Sequence, residues 1–338
     1  MGHRHESTIG RALMGQLGVR LLSLFFCALP LGWAMGMGQA MGWIWYYGVP
    51  VRRGLAHRQV ARALGPALSR AERRRIVRGS FVNLAQMAIE GLRAPLLTPE
   101  VSARLVARKD FHHIDTLLRR GKGVVAVSIH LGNFELLGTS QTVRGYKINA
   151  VFKDIGAAGV AAFWHAQRQA TKLGHIPPRN AKDIIRAALG RNEVVAFLID
   201  QHLAPYRSIV CRFFGQFAAT TPAPIRFAME TGAPIQPLFI VRVGPPGHHE
   251  IRMLPEFTLE FPSADPAYNL AHNTQRLNDL VEGWVRAYPE QWLWAHRRWK
   301  VLARLSDYTL GAHLGPSQKP TGPRPQDGPP QPLQRDAP

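Results

Sequence analysis

The sequence predicts an α/β fold: a central mixed sheet flanked by helices, preceded by an N-terminal membrane-anchoring helical segment. Three observations carry this. Short, continuous apolar runs alternate with stretches of helical periodicity, the pattern of a sheet covered on both faces. The 338-residue chain is 46% hydrophobic, enough for the core of one large α/β domain. Residues 21–51 form a stretch of 31 residues without a charge, and about 20 apolar residues suffice to cross a bilayer core. The chain therefore divides into an anchor over 1–51, an α/β domain over 52–310 and a tail over 311–338.

The uncharged run is interrupted by Pro30 and by Gly32, Gly36, Gly38 and Gly42, and it ends in the cluster Trp43-Ile-Trp45-Tyr46-Tyr47, whose Trp and Tyr favour the head-group layer. Arg4, Arg11 and Arg20 precede it, and Arg52, Arg53 and Arg58 follow it. The positive-inside rule thus favours both ends, which a kinked or re-entrant segment satisfies. A cleaved signal peptide is the rival reading, with Gly38-Gln-Ala40 as a loose cleavage site.

Residues 52–93 hold ten arginines and only two acids, Glu72 and Glu90. Ser69-Arg-Ala-Glu72 is a capping-box pattern that opens a helix, and Val77, Phe81, Leu84 and Ala88 follow at helical spacing. Such a helix either lies on anionic lipid or packs on the core. Strands are expected over 123–129, 147–152, 193–199 and 234–243. Helices are expected over 160–173, from 181 to a stop at Gly190, from Thr221-Pro222 to a stop at Gly232, and over 270–288. Eight prolines among residues 316–338 mark that stretch as disordered.

The 42 Lys and Arg against 22 Asp and Glu give a formal charge of +20, which attracts anionic partners. No nucleic-acid module is recognisable and the charge runs the length of the chain, so nucleic acid is not the expected partner. Cys27 and Cys211 are too few for a disulfide framework and suit a reducing compartment. The paired histidines His112-His113 and His248-His249 lack further ligands at metal-binding spacing.

The chemistry-bearing segment is Ser128-Ile-His130-Leu-Gly-Asn-Phe-Glu135. A strand ending at His130 places it at the carboxyl edge of the sheet, where open α/β sheets bind ligands. On a regular helix residues five apart point about 140° away from each other, so His130 and Glu135 meet only across a turn, which Gly132-Asn133 can supply. If they meet, the carboxylate holds one imidazole nitrogen protonated and frees the other to take a proton from a hydroxyl. Spacing alone makes this a weak signal.

The surrounding residues resemble the first motif of the lipid A biosynthesis lauroyl/myristoyl acyltransferases, a family within the lysophospholipid acyltransferase superfamily. Phe197-Leu-Ile-Asp200-Gln201, Phe213-Phe-Gly215, Thr231-Gly-Ala through Pro237, and Trp292-Leu-Trp-Ala-His296-Arg-Arg-Trp-Lys300 resemble its later motifs in order. Arg212 departs from the small residue or proline expected before Phe-Phe-Gly.

The resemblance implies an acyltransferase domain over 52–310. It would move a fatty acyl chain from acyl carrier protein, or from coenzyme A, to a hydroxyl of a lipid A precursor, with no cofactor. His130 would be the general base and Glu135 its orienting carboxylate. Arg168 corresponds to a family arginine and is the candidate for a substrate phosphate or the oxyanion, with a helix-surface arginine as the alternative. Asp200 either acts in the site or braces the loop. Arg242 and the cluster Arg297, Arg298 and Lys300 either engage phosphates or form a solvated face. The tryptophans are core. Acidic carrier protein, an anionic lipid acceptor and the membrane are the implied partners, with the domain on the cytoplasmic face of the inner membrane. Two alternatives stay open: another acceptor (a phosphatidylinositol mannoside, a lysophospholipid or an ornithine lipid), or a catalytically silent lipid-binding membrane protein.

Overall fold

A computed structural model describes residues 2–65, 68–152, 158–300 and 309–310; the proline-rich tail expected over 311–338 lies outside them. In chain order the elements are α1 (Gly2–Ala28), α2 (Leu31–Gly48), α3 (Arg53–Leu64), α4 (Arg70–Leu92), α5 (Pro99–Leu105), β1 (Val106–Lys109), α6 (His112–Leu118), β2 (Val124–Ser128), α7 (Phe134–Thr142), β3 (Ile148–Val151) and α8 (Ala158–Ala170). They continue as β4 (Gly174–Ile176), α9 (Ala181–Gly190), β5 (Val194–Leu198), β6 (Ile209–Phe213), β7 (Gln216–Thr220), α10 (Ala223–Thr231), β8 (Ile235–Arg242), β9 (His249–Met253), α11 (Pro266–Ala287) and β10 (Thr309–Leu310).

Seven strands form one sheet in the order β1-β9-β8-β2-β5-β3-β4. Its pairs are parallel except β8 with β9, which makes the sheet mixed, as the sequence predicts. β6 and β7 form an antiparallel hairpin with β10 alongside. The continuous apolar runs are explained by burial on both faces. Along β2 and just past it, Val125, Val127 and Ile129 enter one core cluster while Val124 and Ala126 enter the other, as alternation of side chains along a strand requires.

Most expected elements form within a few residues of their predicted bounds. α8 stops early because Lys172 turns into the left-handed region (φ 61) and Gly174 begins β4. Both halves of the Ser69–Glu72 capping box are present. α10 is capped by Pro222 rather than Thr221, whose hydroxyl accepts the Ala223 N–H instead.

The anchor region is two helices broken at Pro30, and among the described residues no helix is long and apolar enough to cross a membrane. α2 packs on α4 through small residues. A Cβ on Gly42 would stand 2.4 Å from the Val82 Cα, and one on Gly38 3.0 Å from the Gln86 side chain. The opposite face of α2 exposes Trp33, Met37, Met41 and Ile44, three and four residues apart and hence one stripe. α1 exposes Leu17, Leu21 and Phe25 in the same way. α4, whose environment the sequence left open, buries Ile76, Val77, Phe81 and Ile89 between α2 and the body.

Candidate active site

β2 and β5 are parallel neighbours in a constant register, Val124 beside Val194 through Ser128 beside Leu198. Two residues past each paired end stand His130 and Asp200. The chain leaves β2 toward β3 on one side, while β8 flanks it on the other. The carboxyl ends of β2 and β5 thus lie at a topological switch point, the crevice where sheets of this kind bind ligands.

His130 and Asp200 meet there. Nδ1 of His130 lies 2.7 Å from one Asp200 oxygen, and the other oxygen accepts the His130 backbone N–H at 3.0 Å and the Trp292 indole N–H at 2.7 Å. Burial alone would raise the Asp200 carboxyl. The His130 charge and these hydrogen bonds outweigh it and hold the carboxyl below its ordinary value. An ionised carboxylate only accepts, so Nδ1 carries the proton and Nε2 presents its lone pair. The Gln201 amide donates to Nε2 at 2.9 Å. The Phe134 ring packs edge-on against the imidazole with centroids 4.6 Å apart.

The expected contact of His130 is therefore corrected: in the structure its imidazole meets Asp200, and Glu135 does not touch it. The Gly132-Asn133 turn does form. Gly132 has φ +58, and a Cβ there would meet the Ile240 carbonyl oxygen at 2.3 Å. Asn133 then caps α7, its Oδ1 accepting the Leu136 N–H at 3.0 Å. This cap starts α7 at once, so Phe134 lies against His130 and Glu135 turns to Arg168. The Arg168 guanidinium donates to both Glu135 oxygens at 2.6 and 3.2 Å and lies 3.9 Å from the Phe152 ring centroid. Arg168 is thus neither a surface arginine nor unengaged.

Beside Glu135 opens an apolar cavity of about 100 Å³. The sequence creates it with small residues. Ala126, Ala196 and Ala150 are paired across β2, β5 and β3, and Gly138 of α7 is also in the lining. Phe134, Glu135 and Phe152 are lining residues, so the cavity reaches the ring that touches His130.

Arg242, expected at a substrate phosphate, is committed to a carboxylate of the protein. Its guanidinium holds both oxygens of Glu90. His249 Nε2 lies 2.8 Å from the same carboxylate, and the Asn133 amide donates to it at 2.7 Å. Burial would raise the Glu90 carboxyl, but the His249 and Arg242 charges and hydrogen bonds hold it at about 2. This network ties α4 and β8 to the cap of α7. The basic cluster near the C-terminal motif also divides. Arg298 is buried and donates to the Ala219 carbonyl and the Thr220 hydroxyl, while Arg297 and Lys300 are exposed. Trp292, Trp294 and Trp299 are core, as expected. Arg212 points outward and stacks on Phe217, 5.5 Å from its ring centroid.

The contact of Asp200 and Gln201 with His130, and the separate contact of Glu90 with Asn133, escaped the sequence reading. One signal was present: Val-Val-Ala-Val-Ser-Ile-His130 and Val-Val-Ala-Phe-Leu-Ile-Asp200 share a pattern, as neighbouring strands that end level in one crevice would.

Comparison with known proteins adds to this geometry. A family described as Bacterial lipid A biosynthesis acyltransferase matches residues 4–301. The chain is 27% identical over 239 residues to the Lipid A biosynthesis lauroyltransferase of Escherichia coli (strain K12), covering 70% of this chain and 75% of that protein. It is 23% identical over 185 residues to the Lipid A biosynthesis acyltransferase of Haemophilus influenzae, covering 54% and 55%. It is also 23% identical over 301 residues to the Phosphatidylinositol mannoside acyltransferase of Mycolicibacterium smegmatis, covering 82% and 95%.

Proposed function

The chain belongs to the bacterial lipid A biosynthesis acyltransferase family, an enzyme family that transfers acyl groups, and from that premise we propose how and on what it acts. His130 is the general base of a direct acyl transfer from a thioester to a hydroxyl of a lipid A precursor, and Asp200 is its orienting carboxylate. The observation that carries this is an imidazole bonded through Nδ1 to a buried carboxylate and packed on Phe134, itself part of the lining of an apolar cavity.

The acceptor hydroxyl takes the place of the Gln201 amide at Nε2. As its oxygen attacks the thioester carbonyl, its proton passes to Nε2. The C–O bond forms, the C–S bond breaks, and the proton goes on to the leaving thiolate. The Arg168 guanidinium, held by Glu135 at the cavity mouth, is the donor available to the carbonyl oxygen as it gains charge. The acyl chain lies along the alanine row. Acyl carrier protein is the proposed donor, its acidic surface suited to a chain of +20.

The exposed stripes of α1 and α2 are apolar enough to lie in the head-group layer without crossing it. These stripes support attachment to a membrane surface, and the proposed site is the inner membrane with the arginine-rich body on the cytoplasmic side. A second reading keeps the chemistry and changes the acceptor to a phosphatidylinositol mannoside. The Mycolicibacterium relative, matched over 95% of its length, favours it.

The test offers radiolabelled acyl carrier protein thioester and a panel of lipid acceptors to detergent-solubilised protein, with His130→Ala alongside. Transfer to the lipid A precursor that His130→Ala abolishes is the expected result. Wild-type transfer by His130→Ala overturns the mechanism, and preference for a different acceptor overturns the substrate.

A further inference from the structure

A second recess lies near the catalytic pair, and its chemistry is the opposite of the alanine-lined cavity. It encloses about 1170 Å³ out to its open mouth, between the turn from α2 to α3 and the segment His296–Lys300. Arg52, Arg58, Arg297 and Lys300 line it, and among the described residues no carboxylate does. All four are exposed. Among the described residues none of them forms an ion pair, whereas Arg75, Arg120, Arg168, Arg186 and Arg242 each meet a carboxylate.

Four like charges around one opening repel each other, and a bound anion removes that cost. Arg52 is moreover held in the left-handed region, φ 66, at the N-cap of α3. Backbone strain of this kind concentrates at ligand-binding sites. The floor of the recess leads to the chemistry. The His296 ring Nε2 is buried without a hydrogen-bond partner. Burial pushes its imidazole down to about 4; Asp200 opposes this, and the His130, Arg298 and Lys300 charges add to it. The backbone makes the same link, since the Leu293 N–H donates to the His130 carbonyl at 3.1 Å and the His296 N–H to the Leu293 carbonyl at 3.2 Å. The rim leads to the apolar helix face, since Val51 lines the recess and Trp43, Tyr47, Val49 and Val51 are exposed.

We propose that this recess binds a phosphate ester of a substrate, holding it beside His130 while the acyl chain fills the alanine-lined cavity. Guanidinium forks match the oxygens of a phosphate in pairs. The position at the end of the exposed apolar stripe favours the head group of the acceptor lipid as the source, and the phosphopantetheine phosphate of the donor is the other source of the same chemistry. The assignment rests on the acyl-transfer reading for the identity of the substrate but not for the binding itself.

The test is a binding measurement that needs no turnover. Detergent-solubilised full chain is titrated calorimetrically with glucose 1-phosphate against glucose, and with phosphopantetheine against pantetheine. Wild-type protein is expected to prefer the phosphorylated member of the first pair. Arg58→Ala and Arg297→Ala are each expected to weaken it about tenfold, the loss of one charge-assisted hydrogen bond. Arg297→Lys keeps part of the affinity, and Arg186→Gln, a charge removed elsewhere on the surface, leaves it unchanged. Preference confined to the phosphopantetheine pair, lost in the same variants, keeps the phosphate site and assigns it to the donor. Equal binding within both pairs, or affinity unaltered by Arg58→Ala and Arg297→Ala, overturns the proposal. Because no transfer is measured, failure of the acyl-transfer reading leaves a separate signature: phosphate binding without turnover.

Discussion

Two histidine–carboxylate pairs sit at this sheet, alike in contact distance and in a buried carboxylate, and unlike in access and in the cation that carboxylate holds. In one, His130 meets Asp200 at 2.7 Å; in the other, His249 meets Glu90 at 2.8 Å. Both carboxylates are buried and held below their ordinary values. The His249 side chain is 0% exposed and Glu90 also holds the Arg242 guanidinium, whereas His130 keeps 13% exposure and Asp200 holds only the imidazole and neutral N–H donors. A guanidinium on the carboxylate and a sealed ring mark a strut, whereas the first pair keeps a partly exposed imidazole whose Nε2 meets only an amide N–H, as the proposed base requires. The contact is shared, and the chemistry follows from what surrounds it.

The largest expected effect breaks the first pair. His130→Ala is expected to lower acyl transfer about 10³- to 10⁴-fold, the scale of losing a general base, while the thermal unfolding midpoint stays close to wild type. Breaking the second pair has the converse outcome. Glu90→Gln leaves Arg242 and His249 buried without their carboxylate, a loss of about 3–5 kcal/mol of stability, read as a lower unfolding midpoint. Transfer per folded molecule should fall far less than in His130→Ala. Since the Glu90 carboxyl is depressed from 4.5 to about 2, its contribution is present above 4.5 and is lost as pH falls toward 2. Acid unfolding of Glu90→Gln should lack that component.

A smaller effect sharpens the assignment of the two carboxylates near the site. Arg168→Gln should lower kcat about 10²-fold, the scale of losing one oxyanion donor, with little change in acyl-chain preference. Filling the alanine row has the smallest effect. Ala196→Leu should shift preference toward shorter chains, with about a tenfold relative loss in kcat/KM for the longest chain accepted. Competition between thioesters of different chain length reads it.

The strands and helices of the body were legible because their signals are local. Val-Val-Ala-Val-Ser is apolar throughout, so it is a strand covered twice, and Ser69 to Glu72 announces its own cap. β1, with Arg108 and Lys109, and β9, with Glu250 and Arg252, carry charges and lack that signature. His130 was legible as a candidate base, but its carboxylate was not. Glu135 is near in sequence, whereas Asp200 is near only because β5 inserts between β2 and β3, a topological fact that neither segment encodes. Arg242 misled for a related reason: a basic residue at a strand end looks the same whether it meets a substrate or Glu90. The N-terminal segment was legible as apolar and broken at Pro30, but sorting its residues into a packed and an exposed face required the contact of Gly38 and Gly42 with α4.

The central claim is that Asp200 holds His130 in the tautomer that makes it a base. Asp200→Asn tests it most directly, since an amide preserves the size of the side chain but can present its N–H to the ring and favour the wrong tautomer. Measured as kcat/KM for acyl transfer, with folding checked by the unfolding midpoint, a folded Asp200→Asn enzyme is expected to fall about 10³-fold or more. A folded Asp200→Asn enzyme that transfers at close to the wild-type rate would contradict the account.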